Sequence, residues 1–400
     1  MPQIRKRVVL HFPGYEPLDA EAHYSRYARS AMQSGRAWNF RVEAGPLGGD
    51  PAAPCFSVRA EGPGWRTDSR IHILDHNGLI LALRSRPTLA RLAAGCRAGV
   101  RVIRYGGMAG YFRHAWRFGL FFLFPFLLAA LGAAVLLAAA SLPLLAGLSA
   151  WNLLWTLPAA VLVFFKAFLP MAERFHTLHL FDDWRLAVSL ARMDDAAANA
   201  RLEEMVRAAR AALREDADEY VVASHSMGSS LAVHVIGMLL EREPQFFGGR
   251  KVVFATLGGA VCQCALLAPA AQLRRRVGLI ARCGDVFWLE VQCLTDAVNF
   301  YRVKVVEAAG FADLPQAAIL RIRFRHMVTP ERYRRIKRDF LRMHRQYVLG
   351  PDRRAPFDFT LMTAGPLEAE SFAGFSTGRL APLRADGSLA PHRNPKVDIA

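Results

Sequence analysis

From Phe118 to Phe165 the chain carries no charged residue. A helix needs about 20 apolar residues to cross a bilayer, so the run is long enough for two crossings and too long for one. Pro143, Gly147, Ser149 and Asn152 punctuate its middle, which predicts two helices, 118–140 and 150–169, joined by a tight hairpin. Trp151 and Trp155 then fall near the far interface, where amphipathic rings collect. Arg101, Arg104, Arg113 and Arg117 precede the run, and Lys166, Arg174 and Arg185 follow it. Positive charge on both flanks predicts both ends in the cytoplasm, as in a bacterial-type inner-membrane protein. The competing reading is a buried core hairpin, but few soluble cores hold two helices with no polar face.

The apolar fraction of 53% owes much to this run, while the net charge is +17. Such a basic balance points to an anionic partner, either lipid headgroups or nucleic acid. No zinc-finger spacing or RNA-binding signature is present, so lipid is expected and nucleic acid is not. Six cysteines are scattered through the chain, and Cys262-x-Cys264 is too close and isolated for a metal site. Reduced core thiols follow, with neither metal nor cofactor expected. The start, Met1-Pro-Gln-Ile-Arg-Lys-Arg7 before a short apolar run, does not read as a signal peptide.

The chemistry is concentrated at Glu219-Tyr-Val-Val-Ala-Ser-His-Ser-Met-Gly-Ser-Ser230. A β-branched run leads to Ser224-His225-Ser226-Met227-Gly228, and an apolar helical segment, 231–240, follows. Strand, sharp turn and helix with a serine at the apex make a nucleophile elbow. The turn exposes Ser226 at a helix N-terminus, where free N–H groups can stabilise an oxyanion. Ser224 stands where such elbows usually carry glycine. The plainer alternative is a βα turn in which Ser226 caps the helix.

Before the hairpin, residues 7–12 read as a strand that ends in Pro13-Gly14-Tyr15. Such a turn can supply a second oxyanion donor. Proline has no N–H, which leaves Gly14 or Tyr15, with Tyr15 preferred. Residues 19–35 and 88–98 read as helices, and 37–44, 54–60 and 67–75 as strands broken by Gly/Pro turns. After the hairpin, 182–214 has helical periodicity, with Leu202, Met205, Val206, Ala209 and Leu213 on one face. Strands are expected at 251–256, 287–291 and 319–324, and a basic helix at 330–349. Helix 268–277 carries Arg274-Arg275-Arg276, read either as exposed charge or as a headgroup contact. Beyond Gly350 the Pro/Gly-rich composition, ending Pro391-His-Arg-Asn-Pro395, predicts a loosely packed tail.

The order of Ser226, an acid after a later strand and a histidine after the last strand resembles the α/β-hydrolase superfamily, specifically membrane-anchored lipase- or esterase-like members. The resembling residues are Pro13-Gly14-Tyr15, Ser224-His-Ser-Met-Gly228, Thr295-Asp296-Ala-Val298 and His344-Arg-Gln-Tyr347. The resemblance implies a mostly parallel sheet flanked by helices, with the transmembrane hairpin inserted. It divides the chain into an N-terminal part with the oxyanion loop (1–117), the hairpin (118–170), the main hydrolase domain (171–350) and the tail (351–400). It further implies a Ser226–His–Asp296 triad, with the N–H groups of Met227 and Tyr15 holding the oxyanion, cleaving a lipid or other acyl ester.

Asp296 competes with Asp285, at the wrong end of its strand, and with Glu290, inside it. His344 is preferred as base for its His-x-x-Tyr setting, with His326, directly after the last strand, as the alternative. His225 and His234 read as neighbours or core residues, and His11 as a candidate pocket wall. A single site built from residues 13–15 and 224–228 needs both on one side of the membrane, hence an even number of crossings. Two other functions stay open: a non-catalytic membrane scaffold that keeps the hydrolase fold, and a tethered thioesterase or peptidase.

Overall fold

β1 (Lys6–Phe12) lies mid-sheet with a parallel neighbour on either side, β4 (Trp65–Ile73) and β5 (Glu219–His225). The computed structural model describes residues 3–375 and 383–389. The remaining strands are β2 (Arg41–Ala44), β3 (Cys55–Gly62), β6 (Val252–Leu257), β7 (Val286–Cys293) and β8 (Ala318–Ile322). Together they form one eight-stranded sheet in the order β2-β3-β4-β1-β5-β6-β7-β8.

The sheet is mixed, which corrects the expectation of a mostly parallel one. β2 pairs with β3, and β3 with β4, antiparallel. The cause is local. Pro63 and Gly64, the latter at φ +79°, are the only residues between β3 and β4, and so short a connection can only return the chain antiparallel.

The central strands are buried on both faces, as their near-continuous apolar sequences require. Val8, Leu10, Phe12, Val222 and Phe254 enter one core. The alternate residues Val9, Val221, Ala223, Val253 and Ala255 enter the other. Helices Thr177–Arg192, Ala196–Ala212, Gly228–Arg242 and Ala271–Arg282 cover the first face. Helices Ala20–Trp38 and Phe359–Ala364 cover the second.

Two expected helices are each broken by an aspartate. Residues 182–214 divide at Asp195, whose side chain accepts the Ala198 N–H and starts a new helix. Residues 330–349 divide at Asp339, which caps Phe340–His344 in the same way.

Residues 351–375 are no loose tail. Phe357, Phe359, Leu361 and Met362 are buried against the second face. Asp358, fully buried, accepts the Trp38 indole N–H at 2.9 Å and the Ser34 hydroxyl at 3.0 Å. The buried Arg7–Glu219 pair adds to the clasp, with Arg7 donating to Gly365 O and Glu219 accepting from the Ala369 amide. The expected terminal Pro391–Pro395 stretch lies outside the described residues. The arginine triplet is part structural and part exposed charge, Arg275 being the exposed member. Arg276 is buried between His234 and Glu241, Arg275 pairs with Glu241, and Arg274 donates to the carbonyls of Ala265 and Leu267.

Two helices, Trp116–Leu145 and Ala150–Glu173, are long and apolar enough to span a membrane, with mean hydropathies of 2.6 and 1.8. They do not form a buried core hairpin, for only 22% and 11% of their most apolar windows are buried. Leu127, Leu131, Leu145 and Trp155 are among the exposed side chains. Gly147 turns the hairpin at φ +73°, and Thr156 Oγ1 bonds back to Ala140 O across it at 3.0 Å. The hairpin is rooted in the body at its two ends: Phe118, Phe121 and Phe122 are buried in the first helix and Leu169 and Ala172 in the second, with Phe118 4.1 Å from Phe300 and Phe122 4.8 Å from Trp184 between ring centroids.

Candidate active site

β1 and β5 are neighbours, yet from β1 the sheet grows toward β4 and from β5 toward β6. The carboxyl ends of strands at such a reversal open a crevice where ligands bind in α/β sheets. Both expected turns lie there. The pairing of Phe12 with Ser224 brings Gly14 and Tyr15 level with the elbow. A Cβ built on Gly14 would lie 3.0 Å from Ser226 Cβ and 2.9 Å from His225 Nδ1, so the loop backbone rests directly on the serine.

Ser226 is half-buried at φ +54°, a left-handed conformation that a non-glycine residue holds only when its surroundings enforce it. Its amide donates to Leu257 O at 3.3 Å, and its carbonyl accepts from Ala260 at 3.1 Å and Ser229 at 3.0 Å. The serine is therefore part of the turn and does not cap the helix by its side chain. Gly228 has no room for a side chain, since a Cβ there would fall 2.3 Å from Pro13 O. Ser224, in place of glycine, fits because its Oγ bonds to Ala255 O at 3.1 Å on the neighbouring strand. Buried Met227 follows Ser226 and opens helix Gly228–Arg242. N–H groups at such a helix start have no intrahelical acceptor.

Asp296 follows β7 and is 1% exposed. Its Oδ1 accepts the Val298 N–H at 2.9 Å, which aims Oδ2 at His344 Nδ1, 2.7 Å away. With a carboxylate at Nδ1, the His344 proton sits there and Nε2 is left as an acceptor. That Nε2 is buried without a hydrogen-bond partner. Tyr347 braces the arrangement: its hydroxyl accepts the Cys293 N–H at 2.9 Å, and its ring fills the space above Gly258. Burial, with the Asp296 carboxylate next, raises the Tyr347 pKa well above its usual value.

Ser226 and His344 line one pocket together with Gly14, Tyr15, His225 and Phe121. The pocket measures ≈ 30 Å³, about enough for one water.

The other histidines separate cleanly. His225 stacks beside His344, with ring centroids 4.6 Å apart, and its Nε2 donates to His344 O at 3.1 Å. Burial, then its neighbour His344, hold its pKa well below the usual value, so a neutral His225 ring lies against His344. His234 is a core residue that accepts from Arg276 and donates to Leu190 O; burial lowers its pKa to about 3. His326 sits in the short helix Phe324–Met327, where its Nε2 accepts from Arg325 at 3.0 Å, and it does not line the pocket. Nor does His11, which packs against Phe359 at 5.3 Å. Asp285 is at the far end of β7, accepting the Gly249 N–H, and Glu290 is buried within the strand.

Five polar pocket residues, Glu16, His179, Asp183, Gln263 and Arg345, escaped the sequence reading. Asp183 is buried and accepts from Gln263 Nε2 at 2.8 Å; burial outweighs that bond and pushes its pKa up to about 7. Burial also lowers His179 to about 3. Glu16 is buried too, which alone would raise its pKa, but Arg26 and Arg345 hold it at about 2. The one signal for Asp183 was its spacing, i+3 from Leu180 and i−4 from Ala187 on a buried helical stripe.

No family model, curated protein or solved structure matches the chain. The constellation therefore rests on its own geometry.

Proposed function

We propose that the protein is a membrane-anchored serine hydrolase, resembling lipase-like α/β-hydrolases, that cleaves a carboxylic ester through an acyl-enzyme. The observation that carries this reading is the His344–Asp296 bond at 2.7 Å, which leaves an unpartnered Nε2 in a pocket that Ser226 also lines. In the proposed reaction His344 Nε2 takes the Ser226 proton as Oγ attacks the acyl carbonyl. Asp296 stabilises the resulting imidazolium, and the amides of Met227 and Tyr15 hold the oxyanion. The imidazolium then protonates the leaving alcohol. A water activated by the same histidine releases the acid and restores Ser226.

The apolar helices supply the address. Two crossings return the chain to the side it left, and the arginines on both flanks favour the cytoplasm. Anchoring concentrates the enzyme where lipid or other membrane-borne esters reside. Phe121, rooted at the hairpin base, forms part of the pocket wall, which supports delivery of substrate from the bilayer side. A pocket of ≈ 30 Å³ must widen to admit an acyl chain, and its apolar side chains are Phe121, Leu180, Val298 and Leu341.

The test is to mix detergent-solubilised protein with a short-chain chromogenic ester and quench early. The reading expects a burst of alcohol and an acyl adduct on the Ser226 peptide by mass spectrometry. A folded protein that shows neither would favour the non-catalytic scaffold.

A further inference from the structure

Helices Thr88–Arg104 and Thr177–Arg192 pack side by side and enclose a second cavity, ≈ 340 Å³, that shares no lining residue with the Ser226 pocket. Arg86, Arg97, Arg101 and Arg185 line it, against the two carboxylates of Asp194 and Asp195. Both carboxylates are engaged elsewhere. Asp194 pairs with Arg192, and Asp195 caps the next helix through the Ala198 N–H. Among the described residues, none of the four arginines makes an ion pair or donates a side-chain hydrogen bond to protein. Arg185 Nη1 and Ser189 Oγ are moreover buried with no hydrogen-bond partner. Burial, then the nearby charge of Arg86, lower the Arg185 pKa, although Asp182 and Asp195 oppose the shift; Arg86, Arg97 and Arg101 are themselves exposed at the rim of the cavity.

Unpaired buried donors and clustered like charges are both costly unless an anion completes them. Guanidinium forks match phosphate oxygens two at a time. We propose that this cleft binds a phosphate group, with Arg97, Arg101 and Arg185 gripping its oxygens and Ser189 donating a hydroxyl. The volume also leaves room for a polar group esterified to that phosphate.

The cleft lies at the root of the hairpin. Gly99, on the first lining helix, is so close to Phe126 of the hairpin that a Cβ would fall 2.4 Å from the ring. Phe126 in turn stacks on Phe181 of the second helix at 5.0 Å. A phosphate could therefore arrive on a lipid headgroup or on a soluble compound, and the test must separate the two.

Full-length protein is reconstituted in phosphatidylcholine nanodiscs and titrated calorimetrically with inorganic phosphate. In parallel, native mass spectrometry of protein released from discs doped with phosphatidylglycerol counts the lipid retained. Saturable phosphate binding in the absence of anionic lipid supports a soluble phosphate compound. Selective retention of phosphatidylglycerol without phosphate binding supports a headgroup. Loss of a charge-assisted bidentate contact should weaken whichever ligand binds by about tenfold in Arg185→Gln. Arg97→Gln, at an exposed position, should do the same with an unchanged melting temperature, which covers the case that Arg185→Gln misfolds. Absence of both forms of binding, or equal binding in wild type and Arg97→Gln, would overturn the site.

Discussion

His344 Nδ1 lies 2.7 Å from Asp296 Oδ2, and both side chains are all but sealed from solvent. Burying such a pair and leaving the opposite nitrogen unbonded is costly for a purely structural histidine. The arrangement is the one a general base requires, with one ring nitrogen held by a carboxylate and the other unbonded, on a residue that lines the pocket. Replacing His344 by alanine should therefore reduce ester hydrolysis by roughly three to four orders of magnitude. The Ser226→Ala/His344→Ala double variant should be no worse than either single one, because members of one unit do not add. His326→Ala should retain near-normal kcat. Initial rates of the four proteins decide it, and the reverse ranking of the two histidines would move the base to His326.

Two glycines separate architecture from chemistry. A methyl on Gly228 would lie 2.3 Å from Pro13 O and 2.4 Å from Phe12 O, backbone atoms that cannot yield without moving β1. Gly228→Ala should thus destabilise the fold by about 1–3 kcal/mol. A methyl on Gly14 instead meets the His225 ring and Ser226 Cβ. Gly14→Ala should push the oxyanion loop away and lower kcat by about 100-fold, the cost of one misplaced donor. Melting curves and kinetics on the pair check this. Equal melting losses in both, with kcat of Gly14→Ala intact, would remove the loop from the mechanism.

What could be read in the sequence was whatever lies next to an abrupt change of pattern. Ser226 sits where a β-branched run meets an apolar helix, Asp296 three residues beyond a strand, and His344 in a polar stretch with Tyr347 close by. The structure brings Ser226 and His344 into one pocket and bonds Asp296 to His344. Asp183 was hidden because its helix reads as amphipathic, and only tertiary packing turns that face toward the serine. Phe121 was hidden for the opposite reason: within a charge-free run a pocket wall and a lipid-facing side chain look alike. The burial of Phe357 and Phe359 was masked by Pro/Gly-rich surroundings. The antiparallel edge was legible in Gly62-Pro63-Gly64, whose brevity leaves the chain no other return.

Glu290 offers a pH signature independent of catalysis. Burial, opposed by a Gln292 hydrogen bond, raises its pKa from 4.5 to about 8. The folded state thus holds a proton that the unfolded chain releases above 4.5. The resulting stability is complete below that value and is lost as pH rises through about 8. Glu290→Gln removes this term. Its stability relative to wild type should grow with pH across that window, by at most about 1.4 kcal/mol per pH unit. Parallel stability–pH curves for the two proteins would show that Glu290 is ionised in the fold.

The hairpin predicts its own topology. Reporter fusions near Gly106 and near Asp182 should both read cytoplasmic, and one near Gly147 should read the opposite side. Opposite readings at Gly106 and Asp182 would exclude two crossings. They would also put Gly14 and Ser226, which pack together, on different sides of the membrane.

The most direct measurement is covalent labelling by a fluorophosphonate probe, which reports an activated serine and needs no knowledge of the natural ester. The account predicts that the full-length protein in detergent is labelled at Ser226. Labelling should vanish in Ser226→Ala and fall close to zero in His344→Ala, with both variants melting like wild type. An unlabelled but folded wild type, or label that persists in Ser226→Ala, would contradict the hydrolase reading at its centre.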